Sequence, residues 1–334
     1  MTESGATLPL PRFDVQLAAP DIAPWRAGNA GIPGVMTFRA DRPGPHVALF
    51  AATHGNELAG VVALDRLLRV GLRPRRGQLS FVFHHLEAFD SFDPNRPTES
   101  RYIDEDLNRV WAAEVLDGPR QSRELKRARA LRPLVDRVDV LLDLHSMLWP
   151  SDPLILSGPT ARGRDLALAI GAPPTVVADD GHAAGRRMMD YARFTAPDGD
   201  AIAMLVEAGQ HWAHSTVDVT LAAISGLLHR LAMVDPHPAL PPPPIGPSRF
   251  AEVTHTITAR CGDFAFLQSF RGGEVVPRRN TLIALDGDQE IRTQYDDCLL
   301  VMPSLRPSRG HTAVRLARFI APEPTTRRPL DRHE

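Results

Sequence analysis

Three short segments carry side chains able to hold a metal ion and move a proton: His54-Gly-Asn-Glu57, Asp143-Leu-His145 and Val206-Glu207-Ala-Gly209. A catalytic zinc takes three ligands from His, Asp, Glu or Cys and keeps a fourth position for water. A nearby glutamate can then take that water's proton. Together the segments supply ligand types and a base, the composition of a zinc hydrolase site. Alone, each has a plainer reading. His-x-x-Glu could be a polar surface loop, His145 a satisfied histidine capping a strand end, and Glu207 a structural ion-pair partner. Asp143, two residues before His145 on the same face of an extended strand, can orient the imidazole.

A fourth segment, Arg101-Tyr-Ile-Asp-Glu-Asp-Leu-Asn108-Arg109, places two guanidiniums and an amide close together. Arginine's planar fork suits a carboxylate, and a second arginine can face a developing oxyanion. Charge runs are usually solvated loops; here Tyr102, Ile103 and Leu107 interleave the charges and are expected to anchor the segment. His84 and His85 are read as neighbours of the site or structural, and His211 and His214 as belonging to a surface helix.

Placing these residues together requires a scaffold. Short apolar runs at residues 46–52, 78–83, 138–143 and 202–206 read as buried strands, while 58–70 and 120–135 show helical spacing of apolar residues. Strands alternating with helices predict an α/β fold with a mainly parallel sheet covered on both faces. In such sheets ligands gather beyond the carboxyl ends of the strands. His54 and Glu57 follow the first of these strands, His145 the third and Glu207 the last, so all four are expected at one edge.

Residues 236–247 hold a run of prolines that can neither continue a helix nor sit in a central strand. They divide the chain into an expected catalytic domain at 1–235, a stiff linker at 236–247, a small all-β module at 248–321 and a disordered tail at 322–334. The 38 basic and 40 acidic residues leave a formal charge of −2, which gives no field to attract nucleic acid or an anionic membrane. Neither partner is expected. The N-terminus lacks a signal-peptide core, and Cys261 and Cys298 form no metal-spaced pair, so a soluble, cytoplasmic protein is expected. Oligomer base rates admit a homo-oligomer.

Taken in order, the four motifs resemble the succinylglutamate desuccinylase and aspartoacylase family of the zinc carboxypeptidase superfamily. The resemblance implies a carboxypeptidase-like mixed sheet flanked by helices, with a β-rich C-terminal domain. It implies one Zn2+ per chain held by His54, Glu57 and His145, with Glu207 as the catalytic carboxylate and Arg101 polarising the scissile carbonyl. Asn108 and Arg109 would hold the substrate's α-carboxylate, and Arg193 is the nearest match to a further substrate-binding arginine, with Arg186 and Arg187 as alternatives. The implied reaction is hydrolysis of a small N-acyl amino acid. A metallocarboxypeptidase acting on short peptides and a non-catalytic zinc- or ligand-binding relative are the competing readings. In one respect the chain departs from aspartoacylases, which use a tyrosine late in the C-terminal domain: Tyr295 is the last tyrosine here.

Overall fold

The computed structural model describes residues 10–182 and 184–320. The expected tail at 322–334 and the first nine residues lie outside them. In chain order the described residues form helix α1 (Ala23–Arg26), strands β1 (Val35–Arg39) and β2 (His46–Ala51), helix α2 (Leu58–Arg69), strand β3 (Gln78–Phe83) and helix α3 (Leu86–Asp90). Helices α4 (Ala113–Leu116) and α5 (Arg123–Val135) lead to β4 (Val140–Met147) and β5 (Leu154–Leu156). Helix α6 (Ala161–Ile170), strand β6 (Thr175–Ala178), helix α7 (Ala192–Thr195), strand β7 (Ile202–Gln210) and helix α8 (His214–Arg230) complete the stretch before the prolines.

The elements form because their apolar residues repeat at the right period. Along β2, Val47, Leu49 and Ala51 join one core while Ala48 and Phe50 join the other, as the two-residue repeat of a strand requires. Helix α2 buries Val61, Leu64, Leu67 and Leu68 against the first core, and α5 buries Leu125, Ala128 and Leu131 against the second. The strands between are therefore covered on both faces. β3, β2, β4 and β7 lie side by side and parallel, which puts the carboxyl ends of β2, β4 and β7 together at the middle of the sheet. β1 pairs antiparallel with β3, and β5 antiparallel with β7, so the sheet is mixed.

After the prolines come β8 (Arg249–Thr258), β9 (Phe264–Phe266), β10 (Val275–Val276), β11 (Leu282–Asp286), β12 (Gln289–Arg292), β13 (Cys298–Val301) and β14 (Thr312–Ile320). β8 pairs parallel with β6 and antiparallel with β14, so one 11-stranded sheet continues from the N-terminal part into the C-terminal part. A backbone ladder thus joins the two parts. β9, β11 and β12 form a separate antiparallel sheet around a third core that includes Ile283, Leu300 and Leu316. Among the described residues no helix is long and apolar enough to cross a membrane.

Candidate active site

The chain leaves β2 through Ala52, whose φ of 56° turns it sharply, and enters His54-Gly-Asn-Glu57 before α2 begins. Gly55 is required there: a Cβ would lie 2.2 Å from the carbonyl carbon of Ala88 and 2.4 Å from the Ser100 oxygen. Gly60 lets α2 settle onto the sheet, its Cβ position only 3.0 Å from the Cβ atoms of Ala51 and Leu144. The turn thereby brings His54 and Glu57 beside the end of β4. His145 lies in β4 and is the register partner of Glu207 in β7.

His54, Glu57 and His145 are buried and offer ligand atoms that all lie within 4.8 Å of one another. The Nδ1 atoms of the two imidazoles face the two oxygens of one carboxylate: His54 Nδ1 is 2.6 Å from Glu57 Oε1, and His145 Nδ1 is 3.0 Å from Glu57 Oε2. Each Nε2 meets a second carboxylate. His145 Nε2 lies 2.8 Å from Asp143 Oδ2, and His54 Nε2 lies 3.0 Å from Asp106 Oδ1. The His54–Asp106 hydrogen bond is of the kind that fixes ring orientation in metal-binding histidines, while the Asp143 oxygen lies close to His145 Nε2 without hydrogen-bond geometry. Thr53 donates to Asp143 Oδ1 at 2.8 Å and is itself 2.9 Å from His84 Nδ1, so a buried chain backs the His145 side chain. Burial pushes His84 well below the usual histidine range, which leaves a neutral ring whose Nδ1–H donates to Thr53.

The electrostatics fit a divalent cation. Burial alone would raise Glu57, but the charges of His54 and His145 hold its carboxyl well below the usual range. Burial alone would lower His145, yet Asp143 and Glu57 raise it well above. The cradle therefore concentrates negative charge around the buried His145 ring. Two imidazoles and a carboxylate are a donor set that zinc favours, and the residues present fit such an ion.

Glu207 differs from the other carboxylates at the site. Its Oε2 is screened from water and has no hydrogen-bond partner among the described residues. Burial, with Glu57 and Asp143 adding, pushes its carboxyl up to about 8 against the opposing charges of His145 and Arg101. A cation in the cradle would favour the ionised form and draw that value down toward the range of a general base.

Arg101 reaches over the cradle, donating to Asp106 Oδ2 at 2.9 Å, with His54 Nε2 also 2.9 Å from its Nη2 and Glu57 Oε1 3.6 Å from its Nη1. Asp106 caps the 3-10 turn Leu107–Arg109 by accepting from the Asn108 amide at 2.8 Å. The anchor of this segment differs from the expected one, because Tyr102 is 44% exposed. Leu107 is buried, and Glu124 of α5 gathers the loop by accepting from the amides of Ile103 and Asp104 at 2.8 and 3.2 Å and from His85 Nε2 at 2.7 Å. His85 is structural in that role. Glu124 gives no sequence signal beyond a carboxylate on the apolar face of a helix.

Asn108 and Arg109 line the same cleft as His145 and Glu207, a cavity of about 670 Å³. Asn108 Oδ1 accepts from the Met188 amide at 2.8 Å, which orients its Nδ2 toward His145 Nε2 at 3.4 Å. Arg193 is not brought there. Its guanidinium donates to the Val138 carbonyl at 3.1 and 3.2 Å, because α7 packs under the start of β4, at the opposite end of the strands from the site. Arg187 lines the cleft instead, buried between Asp179 at 2.6 and 3.0 Å and Asp190 at 2.7 and 2.9 Å. Arg186 faces a neighbouring groove.

Arg315 was missed as a site residue. It comes from β14, is buried, and lines the cleft with its Nε 3.5 Å from Asp179 Oδ2 and without a well-formed hydrogen bond. Burial, with Arg101, Arg187 and Arg315 nearby, lowers Arg109 to about 10, and burial beside Arg109, Arg315 and Arg187 lowers His182 to about 3. This end of the cleft therefore gathers several guanidiniums, with Arg187 balanced by Asp179 and Asp190. His211 also departs from expectation: it is buried just past β7 rather than on a surface helix, with its Nδ1 2.8 Å from Ser146 Oγ.

The fold and the site define a mixed α/β protein with a buried two-histidine, one-carboxylate cradle at the carboxyl edge of its central parallel strands. Residues 43–222 match the model of the succinylglutamate desuccinylase/aspartoacylase catalytic domain, and the chain belongs to that family. It is 33% identical over 117 residues to an aspartoacylase from Xenopus tropicalis and 34% identical over 118 residues to one from Rattus norvegicus. Each alignment covers 32% of this chain and 36% of the relative, so the similarity spans about a third of those proteins. In fold the chain is similar to a succinylglutamate desuccinylase structure from Vibrio parahaemolyticus, with a TM-score of 0.66, 18% identity and coverage of 86% and 87% of the two chains. A succinylglutamate desuccinylase/aspartoacylase structure from Rhodobacter sphaeroides gives a TM-score of 0.64 at 18% identity, covering 87% and 90%.

Proposed function

We propose that this chain is a zinc-dependent hydrolase that cleaves the amide bond of a small N-acyl amino acid. The observation that carries the reading is the meeting, at one strand edge, of the His54–Glu57–His145 cradle with the screened, unpartnered Oε2 of Glu207. Zinc, when bound, lowers the pKa of water and polarises a carbonyl. Glu207 accepts the proton of the attacking water and delivers it to the departing amine. Arg101, held by Asp106, donates to the carbonyl oxygen as negative charge develops there. Arg109 and Asn108 seat the α-carboxylate, and the guanidiniums gathered at that end of the cleft favour that orientation.

The C-terminal part contributes Met302, Ser304 and Arg315 to the wall of the cleft, which limits its length and favours small substrates over peptides. The test is release of free amine from a panel of N-acyl amino acids by the zinc-loaded protein, run beside C-terminal dipeptides. Hydrolysis of the former that a chelator abolishes and zinc restores supports the deacylase. Preferential hydrolysis of dipeptides would make the protein a carboxypeptidase instead.

A further inference from the structure

The two sides of Arg101 and Glu207 are unlike. Toward Asn108 lies the cleft of about 670 Å³, whose cations beyond Arg101 include Arg109, Arg187 and Arg315. On the other side lies a smaller cavity of about 250 Å³, also bounded by Arg101 and Glu207 and walled by Leu148, Trp149, His211 and Met302. Met302 and Ser304 border both spaces, so a single loop after β13 encloses the junction. If the substrate's carboxylate sits with Arg109, its amide lies at Arg101 and Glu207. The acyl half must then point into the smaller cavity.

The chemistry of that cavity is restrictive. Arg101 is its only Lys or Arg among the described residues, and it already lies between Asp106 and Glu57. Glu207, also on its wall, offers an anion no positive charge in either protonation state. His211 is kept neutral by burial, which lowers it to about 4, and its Nδ1 is engaged with Ser146. Trp149 is braced from outside by Phe13, at 5.7 Å between ring centroids, so the wall is not a loose flap. A carboxylate entering here would leave water and meet only Arg101, already shared by Asp106 and Glu57, which is unfavourable. Apolar or weakly polar atoms would instead meet Met147, Leu148, Trp149 and Met302.

We propose that the cavity between Ser146–Trp149, His211 and Met302–Ser304 is the acyl subsite, and that it accepts uncharged acyl groups and rejects acyl groups ending in a carboxylate. Its volume is roughly that of eight liquid waters, room for groups from acetyl to benzoyl size. This assignment rests on the deacylase reading and makes it more specific, since a chain of this family need not then be a desuccinylase.

The experiment compares kcat/KM of the zinc-loaded full chain for N-acetyl, N-benzoyl and N-succinyl derivatives of the same amino acids. Binding of the same compounds to zinc-loaded Glu207→Gln is followed by calorimetry, which reads the subsite without turnover. The expected result is a preference for an uncharged acyl group of about 100-fold or more over succinyl, with the same order in binding. Succinyl substrates used within about tenfold of the best uncharged one would overturn the assignment while leaving the deacylase standing. Failure to hydrolyse any N-acyl amino acid would remove both. Met302→Lys and Ser304→Lys, each placing a cation in the cavity, should narrow the preference by about tenfold or more. A ratio unchanged in both correctly folded variants would show that the acyl group lies elsewhere.

Discussion

His145 and Glu207 are register partners on the adjacent parallel strands β4 and β7. One backbone ladder therefore sets the separation of the cradle's His145 from the Glu207 carboxylate, and neither depends on a long loop. The neighbouring pair β2 and β4 aligns Ala51 with Leu144, so the turn holding His54 and Glu57 starts level with the strand segment holding His145. Slipping one strand by a residue would turn His145 or Glu207 to the opposite face of the sheet.

Thr53 should matter for metal binding although it touches no ion. It holds Asp143, which in turn faces His145 Nε2. Thr53→Val keeps the volume and removes the donor, and zinc affinity measured by chelator competition should fall about tenfold or more, in line with losses seen for such orienting partners. Affinity equal to wild type would mean that Asp143 orients the ring unaided.

Glu207 should also leave a signature on stability in the metal-free protein. Its folded value, about 8, lies above the ordinary 4.5, so its neutral form is the one favoured by the fold. The associated stability is complete below about 4.5 and is lost as pH rises through about 8. Glu207→Gln cannot ionise, so its denaturation midpoint should gain on wild type across that window when both are metal-free. A difference independent of pH would show that Glu207 is not held neutral.

The arginines separate into two kinds by position. Arg193 binds the Val138 carbonyl, so Arg193→Ala should leave KM and kcat within about twofold of wild type and lower stability by about 1 kcal/mol. Arg109→Ala should instead raise KM markedly. A KM effect from Arg193 equal to that from Arg109 would place it in the cleft after all.

Asp179 joins the two parts of the chain by charge as well as by the sheet, since Arg187 binds it and Arg315 of β14 lies 3.5 Å away. Asp179→Ala leaves both buried guanidiniums short of a counter-ion and should reduce unfolding stability by roughly 3–5 kcal/mol in denaturant titration. A loss under about 1 kcal/mol would show that Asp190 balances the cluster alone.

Much of this arrangement was legible in the sequence because it follows from local pattern. Apolar runs located β2, β3, β4 and β7, helical spacing located α2 and α5, and the rule that ligands gather at carboxyl ends placed His54, Glu57, His145 and Glu207 on one edge. What escaped depends on partners distant in sequence. β5 and β6 are three and four residues long and owe their pairing to β7 and β8. The proline segment separates helix-rich from strand-rich chain, but nothing local to it shows that β8 adds to the same sheet as β6. Arg315 is one of many arginines in a strand-like run, and only the docking of β14 turns it toward the cleft. Arg193 and Arg187 could not be separated by spacing because the chain between them folds back under the strands.

The most direct test of the account is zinc content and turnover of Glu207→Gln measured together on an N-acyl amino acid that the wild type hydrolyses. The expected outcome is one zinc retained per chain, bound with near wild-type affinity, and kcat reduced by about 100-fold or more, since the base is lost while the cradle remains. Turnover at the wild-type rate with zinc bound would contradict the role given to Glu207 and with it the mechanism.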